Sequence, residues 1–555
     1  MIPKKYQPEL DAKKLIVQLQ QAQSSGETVP LDVLFVGGGP TGLAGAIHLA
    51  RLARKNGMAD IQIGVLEKAA NLGGHTLSGA VINPRAWREL FPDMPESEYP
   101  FRRKVEGDRV YFLTESGQIS VPTPPTMHND GNYVASLCEV VRFMGKKAEE
   151  LGINILTSFP ADSLLTDGQT VLGVRTSPAG LTRDGQPGSQ YMAPTDITAK
   201  VTVICDGTRS ALSQAYQKWQ DIESQHPQIY ALGVKELWRV KKAPREVTHT
   251  LGFPLPLDCF GGSFMYPMAD DQVSFGLVVG LDYKPAQLDT HKLLQRLKRH
   301  PLFAQYLEGG EVLEWGAKTI PEGGWNSLPK RLHGDGVILA GDAAGFVNVP
   351  ALKGIHYAMK SGMLAAETIF SALNKKDFIG PAEVISANSL KKYDEAVHAS
   401  FIARDLKKVR GMRQAFKSGF YLGGIKAGLM TLTGGAFPSS SHAHEDADEP
   451  KTPGEFVVNE TGAVSEIKTL SKVDAVYLSG NKTRDDVPQH LTVGKDIPAE
   501  VADMYAALCP AGVYERRGDK LVVNAPNCID CKATDVLGPR WQPREGGSGP
   551  NYSEM

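Results

Sequence analysis

Apolar residues run unbroken for four to six positions at several points in the chain, and each run stops at a glycine or an acidic residue. Residues 31–36 (LDVLFV) have the character of a parallel strand covered on both faces. Residues 37–42 (GGGPTG) interrupt that pattern, and from Leu43 the sequence LAGAIHLARLARKNG places apolar side chains at helical spacing until Gly57. A second apolar run, IQIGVLE, closes at Glu67. Strand, turn, helix and strand in this order predict a βαβ unit. Two later runs behave alike. Residues 201–207 (VTVICDG) predict a strand ending in an Asp-Gly turn, and residues 334–345 (GDGVILAGDAAG) predict another ending at Gly341-Asp342. A helical pattern, GIHYAMKSGMLAAETIF, follows from Gly354.

Between those runs, residues 272–283 (QVSFGLVVGLDY) predict part of a sheet inside an excursion spanning 215–325. Alternation around Tyr111–Pro125 predicts a β-hairpin within 100–130. Residues 376–438 form a helical region. In it, Arg404, Lys407, Lys408, Arg410, Arg413, Lys417 and Lys426 are interleaved with Phe416, Phe420, Tyr421, Leu422, Ile425, Leu429, Met430, Leu432 and Phe437. Such a mixture suits either a helix lying in the headgroup plane of an anionic membrane or an ordinary amphipathic helix packed on the protein. Nowhere do roughly 18 uncharged apolar residues run together, so no membrane-spanning helix is expected. Residues 439–453 (SSSHAHEDADEPKTP) are polar and turn-rich and predict an exposed linker before a last unit, 454–555. The amphipathic start, residues 1–30, lacks the apolar core of a secretory signal. No internal repeat is visible.

Composition narrows the class. With 555 residues, 42% hydrophobic and 22% charged, the chain is neither disordered nor a polytopic membrane protein, and it is too long for one simple core. A formal charge of −2 gives no reason to expect nucleic acid as a partner. Six cysteines are too few for a disulfide scaffold. Cys138, Cys205 and Cys259 are scattered, whereas Cys509, Cys528 and Cys531 crowd the last tenth of the chain, which points to metal or redox chemistry there.

The glycines of the first turn have distinct tasks. Gly37 allows the tight turn, Gly39 lets the backbone approach a pyrophosphate, and Gly42 lets the helix pack on the sheet, so that the helix N-terminus faces the anion. Glu67 can accept ribose hydroxyls, and Asp342 is placed to hold a ribitol hydroxyl. With the mid-chain Asp206-Gly207, this order resembles the glutathione-reductase-type FAD proteins, in particular the aromatic hydroxylase and geranylgeranyl reductase branch. No second strand-linked G-x-G-x-x-G is present to bind a nicotinamide. Cys509-Pro510 and the pair Cys528-x-x-Cys531 suit iron–sulfur ligation. Zinc is the competing metal, and three unrelated thiols are the plainest alternative.

Several further blocks make the chain similar to the electron-transfer-flavoprotein:ubiquinone oxidoreductase family. They are Gly37–Gly42, Gly73–Ala80 (GGHTLSGA), Gly261–Phe264, Asn348-Val349-Pro350, Ala358–Gly362, Cys509–Glu515 (CPAGVYE) and the terminal GPNYSEM. The blocks run in order from residue 31 to the end. The resemblance implies a mixed α/β and α+β architecture. A glutathione-reductase-type FAD fold (31–214 and 326–375) would be interleaved with a quinone-binding domain (215–325), and a ferredoxin-like iron–sulfur domain would follow (454–555). It implies FAD on Gly37, Gly39, Gly42 and Glu67, with Asp342 at the ribitol, Asn348 near the ring, and Gly354 opening a helix whose positive end favours an anionic reduced flavin. It implies a quinone headgroup on the backbone of Gly261 and Gly262, and iron on Cys509, Cys528 and Cys531. Electrons would come from electron transfer flavoprotein and leave on ubiquinone, at the surface of a bacterial inner membrane (cytoplasmic face) or a mitochondrial one (matrix side). The attachment would be monotopic, with the 100–130 hairpin as a second contact; because the helical stretch 376–438 holds Lys426 and several glycines and is less apolar than the family pattern, shallow or salt-sensitive attachment is expected here.

One departure stands out. The family's fourth cysteine falls at Thr534, whose hydroxyl is a poor iron ligand. That leaves a four-iron cluster completed by Asp530, Asp535 or solvent, a three-iron cluster, or none. Two rival readings share the FAD frame: a flavin-dependent reductase or hydroxylase, and a membrane-docked adaptor without a cluster. No acid–base residue is assigned, and His356 reads as a structural histidine.

Overall fold

The computed structural model describes residues 1–19, 26–58, 60–436, 444–454, 456 and 467–555. Phe437 and residues 439–443 of the acidic stretch therefore lie outside the described residues.

A nine-stranded sheet forms the flavin body. Glu27–Val36 lies between Thr195–Ile204 and Ile63–Glu67, parallel to both, and Asn154–Thr157 extends that edge. Val337–Leu339 pairs in parallel with Thr202–Ile204. The three strands read from apolar runs are thus neighbours although 300 residues of sequence separate the first from the last. Their buried side chains explain the unbroken apolar pattern: Val33, Leu34, Phe35, Val201, Val203, Ile338 and Leu339 are all shielded on both faces. The short strand Ile16–Gln18 joins the far edge beside Ala161–Asp167, so part of the N-terminal segment belongs to this sheet.

Two helices cover the sheet where the apolar runs end. Helix Pro40–Lys55 packs on helix Ile355–Lys375 through small residues. A Cβ added at Gly362 would lie 2.2 Å from the Thr41 carbonyl oxygen, and one at Gly45 would lie 2.5 Å from the Phe35 ring. This contact brings the N-termini of both helices to one end of the sheet, the place where an open parallel sheet binds its ligand.

The second sheet has seven strands in the order Glu311–Pro321, Tyr230–Arg239, Gln272–Gly280, Gly261–Ala269, Val247–Gly252, Asp108–Leu113 and Gln118–Val121. The hairpin read from the alternation near Tyr111 is present, and it completes the edge of this second sheet. The C-terminal unit supplies the hairpin Tyr514–Arg517/Lys520–Val523, a short pairing of Leu491–Thr492 with Arg540–Trp541, and the helices Lys472–Leu478, Ala499–Leu508 and Ala533–Leu537. Its apolar residues Val501, Met504, Tyr505 and Leu537 share one core with Leu293, Phe303 and Trp315 of the second sheet's layer.

Two expectations need correction. The described part of the acidic stretch is not an exposed linker: Asp446 is buried and accepts from the Tyr230 amide, and the buried Lys451 ammonium donates to the Leu281 carbonyl. Arg413 is not a headgroup cation either. It is buried, donating to Glu322 and Asp282 at 2.7 and 2.8 Å, with its guanidinium over the Phe260 ring. Carboxylates on the second sheet draw it inward, which composition alone does not reveal.

Candidate functional site

A cavity of about 390 Å³ opens at the helix N-termini and runs between the two sheets. The first turn forms one wall. Gly37 has φ +123°, and a Cβ there would lie 2.5 Å from the Cys205 carbonyl oxygen; one at Gly42 would lie 2.1 Å from the Gly37 oxygen. These two glycines let the turn fold against its neighbours. Gly39 differs: a Cβ would meet nothing within 4 Å, because the residue faces the cavity. Glu67 accepts from the amides of Gly38 (3.1 Å) and Ala69 (2.8 Å) and borders the cavity. Burial raises its carboxyl, and those hydrogen bonds oppose the shift.

The other walls bring in the later motifs. Asp206 lines the cavity with one carboxylate oxygen, Oδ1, buried and unpartnered, while the other accepts from Ser210. Asp342, in the turn Gly341–Ala343, is pushed up to about 6 by desolvation. Gly354 caps helix Ile355–Lys375 on the same rim. Asn348 does not line the cavity; its amide serves the loop, donating to Tyr357 Oη and accepting from the Ala351 amide. Open backbone at Gly39, a helix N-terminus, acids for hydroxyls and an orphaned carboxylate oxygen fit an anionic dinucleotide with sugar hydroxyls.

Cations that the sequence did not single out face the same space. Lys68, Lys318 and Lys532 line the cavity. Lys68 and Lys532 both approach the Trp541 ring, at 4.7 and 4.5 Å from its centroid. Burial and then the charge of Lys68 push Lys318 down to about 8. Crowded ammoniums of this kind gain from an anion between them. Lys318 could have been noticed as the one basic residue of the strand Glu311–Pro321; Lys532 was hidden by the cysteine beside it.

The glycine pair lies elsewhere. Gly261 and Gly262 begin the strand Gly261–Ala269 and do not line the cavity. A Cβ at Gly261 would lie 2.2 Å from the Val278 oxygen, and at Gly262 2.4 Å from the Thr250 oxygen, so sheet packing alone requires both. Just before them, the loop carries exposed Leu257, and Phe260 meets Phe416 edge-on at 5.4 Å. Helix Phe420–Leu432 follows Phe416, with Leu422, Ile425, Leu429 and Leu432 exposed; Leu432 is 85% accessible. Among the described residues no helix is long and apolar enough to cross a membrane. His356 is buried, and desolvation lowers it to about 3, so it is neutral.

The three late cysteines do come together. Cys509 ends helix Ala499–Leu508, Cys528 ends the turn Ala525–Asn527, and Cys531 precedes helix Ala533–Leu537. All are buried, and the Cys531 thiol is pushed up by burial, then by Cys509 and by Cys528. Thiols in such surroundings are inert until a metal takes their protons. Tyr514 closes on the same spot, beside Cys509, Thr534, Cys528 and Cys531. Neither acid beside the vacant ligand position is free to complete a cluster. Asp530 accepts from Lys68 (2.6 Å), Arg544 (2.9 Å) and Trp541 Nε1 (3.0 Å). Asp535 accepts from Arg209 (2.7 Å) and the Trp541 amide (2.8 Å). Three buried thiols are thus available to an iron–sulfur cube, and no fourth cysteine stands with them.

A two-helix dinucleotide cradle beside a mostly antiparallel sheet, with a cysteine module sealed onto both, defines an FAD-dependent oxidoreductase built to pass electrons between cofactors. One solved structure shares the body of this fold: a geranylgeranyl bacteriochlorophyll reductase-like protein of Thermoplasma acidophilum, 18% identical, TM-score 0.54, with 75% of this chain and 93% of that one covered. Family models match at residues 230–320 (ETF-QO, ubiquinone-binding) and 466–553 (electron transfer flavoprotein-ubiquinone oxidoreductase, 4Fe-4S). Curated relatives named electron transfer flavoprotein-ubiquinone oxidoreductase, mitochondrial, match nearly end to end. The Dictyostelium discoideum protein is 37% identical over 94% of this chain and 91% of its own, and the human protein 37% identical over 94% and 89%. The chain belongs to the electron transfer flavoprotein-ubiquinone oxidoreductase family.

Proposed function

We propose that this protein takes electrons from reduced electron transfer flavoprotein and passes them through FAD and an iron–sulfur cluster to ubiquinone at a membrane surface. The observation that carries this reading is the seam between the cysteine module and the dinucleotide cavity: Cys531 is followed directly by Lys532, which lines the cavity and contacts Trp541. Both redox groups would thus share one wall, as an internal relay requires.

In this reading Gly37, Gly39, Gly42 and Glu67 hold the adenosine half of FAD and Asp342 its ribitol. The N-terminus at Gly354 stands beside the ring, with Asn348 bracing the loop behind it, and Cys509, Cys528 and Cys531 hold the cluster. The groups supply the redox chemistry when bound; the chain binds, orients and excludes water. Quinone reaches the backbone at Gly261 and Gly262 from the side of Leu257 and helix Phe420–Leu432, whose exposed leucines and isoleucine rest in the headgroup layer. Attachment is monotopic, on the cytoplasmic face of a bacterial inner membrane or its mitochondrial counterpart.

Anaerobic mixing of the oxidised holoprotein with reduced electron transfer flavoprotein, and separately with NADH or NADPH, tests the reading. Rapid flavin reduction by the flavoprotein alone, with ubiquinol formed from a soluble ubiquinone analogue, is expected. Faster reduction by NAD(P)H would replace the relay with a flavin reductase or hydroxylase.

A further inference from the structure

The cysteine site leaves one position to be explained. Thiolates are available at Cys509, Cys528 and Cys531, and the chain places Thr534 where a fourth would stand. The two carboxylates beside that position are already engaged. Asp530 and Asp535 are each held by an arginine and by Trp541, and Asp530 also by Lys68. Moving either carboxylate onto iron would strip Arg544, Arg209 or Lys68 of its counter-charge. His490 is buried with both ring nitrogens unpartnered and lies within 4.8 Å of Cys528 and Asp530, so it is the rival donor that the test below separates from water.

There is also a pair of hydroxyls. The Tyr514 hydroxyl is buried without a hydrogen bond of standard geometry; it meets the Thr534 side chain, and Cys509, Cys528 and Cys531 are within electrostatic reach of it. Thr534 is itself buried at the start of helix Ala533–Leu537. Thr534 and Tyr514 thus bring two hydroxyls to the position that lacks a thiolate, and a buried water is stable where it finds two to four polar partners.

We propose that the fourth corner of the cluster is closed by water or hydroxide, held by Tyr514 and Thr534, and that the iron there is exchangeable. The inference rests on the cluster assigned under the proposed function and deepens it: this chain carries one iron open to small anionic or thiol ligands. Ferricyanide would then remove one electron from [4Fe–4S]²⁺, releasing one Fe²⁺ to a chelator and leaving [3Fe–4S]⁺, with ferrocyanide as the reduced product.

The test uses anaerobically purified, reconstituted holoprotein. After one equivalent of ferricyanide with a ferrous chelator, about one iron in four should be released, the three-iron electron paramagnetic resonance signal should appear, and added Fe²⁺ with dithionite should reverse both. In ¹⁷O-enriched water, the reduced four-iron form should show oxygen hyperfine coupling. Thr534→Cys should retain its iron and lose that coupling. Iron held as tightly as in Thr534→Cys, or nitrogen hyperfine coupling that disappears in His490→Ala, would overturn the inference while leaving the cluster reading intact. Protein that takes up no iron would overturn both. Should Thr534→Cys fail to fold, iron release and oxygen coupling in the unaltered protein still decide.

Discussion

Gly39→Ala separates flavin binding from folding. An added Cβ meets no atom within 4 Å, because it projects into the cavity, and the residue's φ of −87° suits alanine. Gain from a stiffer unfolded chain, about 0.4–1 kcal/mol, is offset by alanine's weakness as a helix N-cap. The apoprotein should therefore keep its stability within about 1 kcal/mol. FAD meets a different surface, since its pyrophosphate must approach the backbone where the methyl now stands. Crowding a packed contact by one methyl costs about 1–3 kcal/mol, a loss of roughly 5- to 150-fold in affinity. Gly42→Ala is the control of opposite character. Its Cβ would lie 2.1 Å from the Gly37 oxygen, so the turn itself must move and the apoprotein loses stability before any flavin is added. The assay is flavin fluorescence quenching by deflavinated protein, alongside urea unfolding of the same preparations. Gly39→Ala protein that binds FAD as tightly as the parent would refute the placement of the pyrophosphate on this turn.

Arg413→Met strands two buried carboxylates, Asp282 and Glu322, and should cost about 3–5 kcal/mol in urea unfolding; a loss below about 1 kcal/mol would mean the pair is solvated. His249 and His356 are both lowered to about 3 by burial, so between pH 6.5 and 3 the unfolded chain binds protons that the native one refuses. Stability should accordingly fall as pH drops through that window, and His249→Asn with His356→Asn should flatten the urea-midpoint profile there. Ile425→Glu with Leu432→Glu should abolish flotation with anionic liposomes while leaving reduction of a soluble quinone analogue within about twofold. Binding by the parent should weaken as salt rises, and flotation indifferent to high salt would contradict shallow electrostatic attachment.

Much of the flavin body was legible because its signals are local. A parallel strand buried on both faces writes an unbroken apolar run, and the turn at Gly37–Gly42 has steric demands that only glycine meets. Strand order was less visible: nothing in residues 16–18 announces an edge strand, and the hairpin near Tyr111 gives its own pairing but not the sheet it completes. The lysines were missed for a different reason. Lys68, Lys318 and Lys532 acquire meaning only when three distant segments meet, and single charges carry no spacing to read. Arg413 and Asp446 look like surface residues by composition, yet each is drawn inside by a partner more than 90 positions away. Gly261 and Gly262 were legible as a pair, while the sheet contacts that require them were not.

The last ten residues have a consequence for how electrons move. After the cysteines, the chain returns to the flavin body: the Gly547 amide donates to the Lys68 carbonyl, Tyr552 to Gly74, and Met555 accepts from Cys138. The cysteine module is therefore fastened to the flavin body on its far side as well as where it enters. A unit held at both ends cannot act as a swinging carrier. The gap between the two redox groups is set once, when the protein folds, and solvent viscosity should leave the internal transfer untouched while slowing the encounter with the donor.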